Sequence, residues 1–166
     1  MVYRNPHVLP RAFLVGRTEV VPDSAAVRRL LSADFDFRTV AALPAALPAG
    51  SAPQPDPLGQ VGWSRRSANE SVLAVFTDRP ALLVVTDNWY QAWHAQLDGR
   101  AVPLLRADYT FRAVAIPPGR HRVRFYYRSG LLSFSATLSV VLQALLLIVA
   151  LAGTVLDRRR RAQPAA

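Results

Sequence analysis

Cysteine and lysine are both missing from this chain of 166 residues. Without cysteine there is no disulfide framework and no thiolate metal site, so a domain placed outside the cytoplasm must stand on its apolar core. Without lysine, all 20 basic residues are arginine, and together with the abundant Ala and Pro this reads as the composition of a GC-rich bacterial genome. Residues 1–7 contain no apolar stretch and no cleavage-site pattern, so a secretory signal is not expected. Histidine is scarce. His7, His94 and His121 stand apart from one another and from any carboxylate at metal-ligand spacing, and neither a metal nor a cofactor is expected. Gly-rich phosphate loops, the G-x-S-x-G elbow and paired carboxylates are likewise missing, so no residue is assigned a catalytic role.

The length allows one modest domain and one hydrophobic segment. A net charge of +9 suits nucleic acid, an anionic membrane or an acidic ligand, but the arginines are dispersed and no nucleic-acid motif accompanies them. No nucleic-acid partner is expected. Residues 129–156 carry no charge and are rich in Leu, Val and Ala, exceeding the ~20 residues that span a bilayer. They predict a C-terminal transmembrane helix, with the lipid bilayer as a partner. Arg158 to Arg161 follow it directly, which by the positive-inside rule makes residues 157–166 a cytoplasmic tail. Ser135, Ser139 and Gln143 recur every four residues along the segment, a polar stripe suited to packing against other transmembrane helices.

The rest reads as β structure. Trp93, Ala95 and Leu97 alternate with His94 and Gln96 before the hairpin signal Asp98-Gly99. Val123, Phe125 and Tyr127 alternate with Arg122, Arg124 and Tyr126. Residues 81–86 are apolar on both faces, as in a central strand. A mainly β fold follows: an antiparallel β-sandwich or jelly-roll-like core over residues 60–128. Residues 1–42 add strands at 12–15 and 19–21 and a short helix to Leu31, capped by Asp23 or Ser24. Residues 43–59, with Pro44, Pro48, Pro53, Pro55 and Pro57, predict a loop.

Aromatic and polar residues concentrate at Asp87, Asn88, Trp89, Tyr90 and Trp93 and again at Arg106, Asp108, Tyr109, Phe111 and Arg112. Rings beside polar groups make sugar-binding surfaces. The same rings also fill the core of a small domain without disulfides. Both alternatives stand at this point, and Trp89, Tyr90, Asp108, Tyr109 and Arg112 are the candidate glycan or headgroup contacts.

Read in order, NP at 5–6, LPRA at 9–12, LLVVTDNWY at 82–90 with Trp93, DG at 98–99, LRADY at 105–109, FRAV at 111–114, PG at 118–119, then His121, Val123, Phe125, Tyr127 and the final apolar run resemble the C-terminal part of the bacterial YfhO family of membrane proteins. Gln91 and Ala92 stand where that family commonly has Pro-Gly. The resemblance implies a polytopic, GT-C-like glycosyltransferase that moves a sugar from a polyprenyl-phosphate carrier to a cell-envelope polymer. Its catalytic carboxylate would lie in an early extracytoplasmic loop outside this sequence. The chain is then expected to be a fragment: a non-catalytic, extracytoplasmic accessory domain with the last helix, at the bacterial cell membrane. Two other classes stay open. One is a tail-anchored protein with a cytoplasmic domain, and the other a free-standing, membrane-anchored carbohydrate-binding module.

Overall fold

The computed structural model describes residues 8–47, 52–129, 135, 138–148 and 152–153. The chain divides into two units, Met1–Arg128 and Ser129–Ala166. In the first, the elements run β1 (Ala12–Val15), β2 (Arg17–Val20), α1 (Asp23–Leu30), β3 (Val40–Leu43), β4 (Gly59–Arg66), β5 (Glu70–Thr77), β6 (Ala81–Asn88), β7 (Trp93–Leu97), β8 (Arg100–Val102), β9 (Leu105–Ala107), β10 (Phe111–Ile116) and β11 (Gly119–Tyr127).

Two antiparallel sheets form, a four-stranded one in the order β1-β6-β10-β9 and a five-stranded one in the order β4-β5-β11-β7-β8. Period-2 alternation decides what lies between them. Leu73 and Val75 of β5, Ala95 of β7, and Val123 and Phe125 of β11 face Ala12, Leu83, Val85, Val114 and Ile116 of the four-stranded sheet in one core, and Trp93 and Leu97 pack against it. The turn between β7 and β8 is the Asp98-Gly99 pair, at φ 50° and 83°. Positive φ at both central residues matches the twist of a tight hairpin.

The other face of the four-stranded sheet is covered too. Val15, Leu82, Val84, Ala107 and Ala113 pack against Ala41 and Leu43 of β3, and Ala42 on the far side of β3 packs with Val21, Ala26 and Phe35. β2 and β3 pair in parallel. This layering explains the unbroken apolar run of β6, where residues 81–85 are all buried: a strand covered on both faces has no wet side to alternate with.

Several expectations are corrected. Strand β1, outside residues 60–128, is integral to the sandwich, and the parallel β2-β3 pair adds a layer, so the jelly-roll-like arrangement gives way to a five-on-four sandwich with an extra cover. α1 lacks the side-chain cap expected from Asp23 or Ser24. Pro22, extended at φ −65° and ψ 151°, holds the cap position, and its carbonyl takes the amides of Ala25 and Ala26. The described end of the Pro-rich loop is tied to the sandwich: Gln54 N donates to Pro80 O at 2.8 Å and Leu58 N to Asp78 Oδ1 at 2.9 Å. Gly16 permits this, since a Cβ there would run into the Gln54 carbonyl.

The transmembrane helix expected over residues 129–156 is not found among the described residues. In the second unit the described residues 135, 138–148 and 152–153 are helical. Among the described residues no helix is long and apolar enough to cross a membrane. Lack of charge measures preference for lipid and leaves backbone conformation open. Ser135, Ser139 and Gln143 are helical and exposed; Arg158 to Arg161 lie outside the described residues.

Phe125 is fully buried between the sheets. Phe125→Ala should cost about 3 to 5 kcal/mol, read as a lower urea midpoint in equilibrium unfolding; a loss under 1 kcal/mol would contradict the layering.

Candidate functional site

Polar residues intrude where two inward-facing rows reach the same end of the sandwich. In β10 the row is Arg112, Val114, Ile116; in β5 it is Ser71, Leu73, Val75. Arg112 is 6 % exposed and Ser71 4 %. The pairing of β10 with β6 slips between Phe111, opposite Asn88, and Arg112, opposite Val85. Thr86 and Asp87 are the extra residues on the β6 side, and such bulges re-aim side chains. The result is a cleft of about 520 Å3, lined among others by Arg11, Arg66, Ser71, Asp87, Trp93 and Arg112.

Arg112 is held by a carbonyl and a ring. Its Nε donates to the Asn88 carbonyl at 2.8 Å, its guanidinium lies 3.6 Å over the Trp93 ring, and burial pulls its pKa down while nearby Asp87 pushes it up and Arg11 pulls it down. Asp87 belongs to Arg11, whose Nε donates to Oδ1 at 2.8 Å. Arg66 reaches the cleft from the end of β4, 5.3 Å over the Trp63 ring.

Trp93 also walls a second, smaller groove of about 240 Å3, with Trp89, Gln91, His94, Leu104 and Tyr126. Trp93 meets Tyr127 edge-on at 5.6 Å, and His94 stacks on Tyr126 at 5.4 Å. Trp89 is half-buried and donates from Nε1 to the Leu104 carbonyl at 3.4 Å.

The five residues singled out in the sequence are therefore not one site. Arg112 faces the Arg-rich cleft and Trp89 the aromatic groove. Tyr90 and Tyr109 are exposed, at 64 % and 49 %. Asp108 looks to the opposite face of the four-stranded sheet and replaces a strand partner for Ala42. Its amide donates to the Ala42 carbonyl at 2.8 Å, and its Oδ1 accepts from the Ala42 amide at 2.8 Å. Oδ2 is buried with no partner, and burial pushes the carboxyl up to about 6 against the pull of the Ala42 amide.

Arg11, Arg66 and Ser71 were missed as cleft residues. The available signal was an alternation with the wrong chemistry: Ser71 and Arg112 occupy positions that period 2 assigns to the core. His121, apart from any carboxylate in sequence, meets one through the fold, with Nδ1 2.7 Å from Asp98 Oδ2. Among the described residues no group of three His, Asp or Glu side chains is placed to hold a metal ion.

Fold and site together define a covered β-sandwich domain with an Arg-rich cleft and an aromatic groove sharing one tryptophan wall. No family model, curated protein or solved structure matches the chain.

Asp108 generates a pH prediction. Its folded pKa lies above the unfolded value of 3.8, so its contribution is intact below pH ~4 and is lost as pH rises through about 6, a loss on the order of 3 kcal/mol. Asn keeps the acceptor for Ala42 and tolerates φ 48°. Asp108→Asn should therefore be more stable than the wild type at pH 8 and converge on it at pH 4, measured by urea unfolding across that range. A difference between the two that does not vary with pH would refute the buried-charge account.

Proposed function

We propose that this chain is a non-catalytic, extracytoplasmic accessory part of a YfhO-like bacterial membrane protein that handles glycan during envelope-polymer glycosylation. The observation that carries this reading is the aromatic groove. Trp89, Trp93 and Tyr126 line it with aromatic surface for the apolar side of a pyranose, while Gln91 and His94 stand beside them as hydrogen-bonding groups for its hydroxyls. The ordered resemblance of residues 82–90, 98–99, 105–109 and 111–114 to YfhO-like sequences supports the same assignment. By that resemblance, transfer from a polyprenyl-phosphate sugar to the acceptor belongs to an N-terminal membrane region of the parent protein, and this part positions the polymer.

Titrating the full chain with neutral envelope oligosaccharides while following tryptophan fluorescence tests the reading. Saturable binding is expected, weakened about three- to tenfold in Trp89→Ala, in line with ~0.5 to 1.5 kcal/mol for one ring contact. Membranes containing the chain and a polyprenyl-phosphate sugar should show transfer only when a homologous N-terminal half is joined to it. Binding insensitive to Trp89, or turnover by the chain alone, would overturn the proposal.

A further inference from the structure

We infer that the cleft beside the aromatic groove is a phosphate-binding site, built on Arg112 and completed by Arg11, Arg66 and Ser71. The argument starts from what Arg112 leaves undone. A guanidinium has five N–H donors, and here the Nε donor alone is committed, to Asn88 O at 2.8 Å. The two Nη groups make no hydrogen bond to any described residue, although the side chain is 6 % exposed. No carboxylate pairs with it, because Asp87 is engaged by Arg11. Asp87 offsets only part of the burial that pulls the Arg112 pKa down, which leaves the guanidinium short of negative charge. Trp93 fixes the plane of the guanidinium at 3.6 Å, so its free edge is oriented before any ligand arrives.

The surroundings select the ligand. Three arginines against one aspartate leave an excess of two positive charges on the cleft wall, which matches a phosphate monoester at about −1.5 to −2 near neutral pH. A planar carboxylate is satisfied by one arginine fork. Here donors come from both sheets: Arg11 and Arg112 flank or lie on strands of the four-stranded sheet, and Arg66 and Ser71 lie on the β4 and β5 strands of the five-stranded one. A tetrahedral oxyanion accepts from both sides at once. The Ser71 hydroxyl also has no hydrogen bond to a described residue, though Ser71 is 4 % exposed. At about 520 Å3 the cleft holds a phosphate with the group that carries it.

The site is tested on the full chain by calorimetric titration with inorganic phosphate and with methyl phosphate, beside a neutral methyl glycoside. Saturable binding of both phosphates is expected, competed by sulfate and weakened by added salt. Arg112→Gln should lower affinity at least tenfold. Arg66→Gln lies outside the core and leaves the fold intact; it should lower affinity about threefold, so a folding defect in the first variant does not decide the matter. Co-sedimentation with vesicles of phosphatidylcholine, with and without phosphatidic acid, separates the sources of the group. Extra binding to phosphatidic acid that Arg112→Gln removes assigns a lipid headgroup, and methyl phosphate binding without that increment assigns a soluble ester. No saturable phosphate binding, or binding unchanged in both variants, would overturn the inference. Glycoside binding without phosphate binding would leave the glycan reading standing alone; phosphate binding without glycoside binding would do the reverse.

Discussion

The first unit depends on one constraint: the four-stranded sheet is buried on both faces. Leu82 and Val84 point to β3 while Leu83 and Val85 point to the five-stranded sheet, and all four are fully or almost fully shielded. Every backbone polar group of such a strand must be paired within the sheet, which fixes β1 and β10 as its neighbours. It also requires a cover for the second face, and residues 17–43 provide it as a parallel strand pair and a short helix. Asp108 joins the two, offering β3 an amide and a carboxylate oxygen in place of a neighbouring strand. The cost is a buried oxygen without a partner.

The same constraint generates the clefts. Where β6 emerges from double burial, its pairing slips at Thr86 and Asp87, and the sheets no longer close on one another. Two inward rows end there in Arg112 and Ser71 rather than in Leu or Val. Trp93, at the start of β7, fills part of the opening and divides it into a charged side and an aromatic side. One ring thus serves both as core filler and as the wall of two sites.

An all-arginine basic complement matters to this arrangement. Guanidinium groups stack on Phe35, Trp63, Trp89, Trp93, Phe76 and Tyr126, which a compact ammonium does less well. Some also pair with carboxylates, as Arg124 does with Glu70 at 2.6 Å, holding that acid below its usual range, and Arg106 with Asp23 at 2.6 Å. Exposed pairs of this kind contribute little on their own. Arg112 differs because it has a ring and a carbonyl but no carboxylate.

Residues 93–97 and 122–127 were legible as strands because period 2 is a local property, and Asp98-Gly99 was legible as a hairpin because both residues tolerate positive φ. The run at 81–86 was legible as a central strand for the same kind of reason. The uncharged segment at 129–156 was misread, since hydropathy reports solvent preference and not the length of a helix. Asp108 and Arg112, grouped with Trp89, Tyr90 and Tyr109 by nearness in sequence, separate onto opposite faces of one sheet. The sequence by itself determined that the first unit is β-rich, where the hairpin at Asp98-Gly99 turns, and which side chains face inward on the strands at 93–97 and 122–127. Only the tertiary structure decided which strands pair, that the 12–15 strand and β3 complete the layers, and that Arg11, Arg66, Ser71 and Arg112 converge. Alternation acts between neighbours two residues apart, whereas convergence depends on contacts between segments up to a hundred residues distant, which no local pattern encodes.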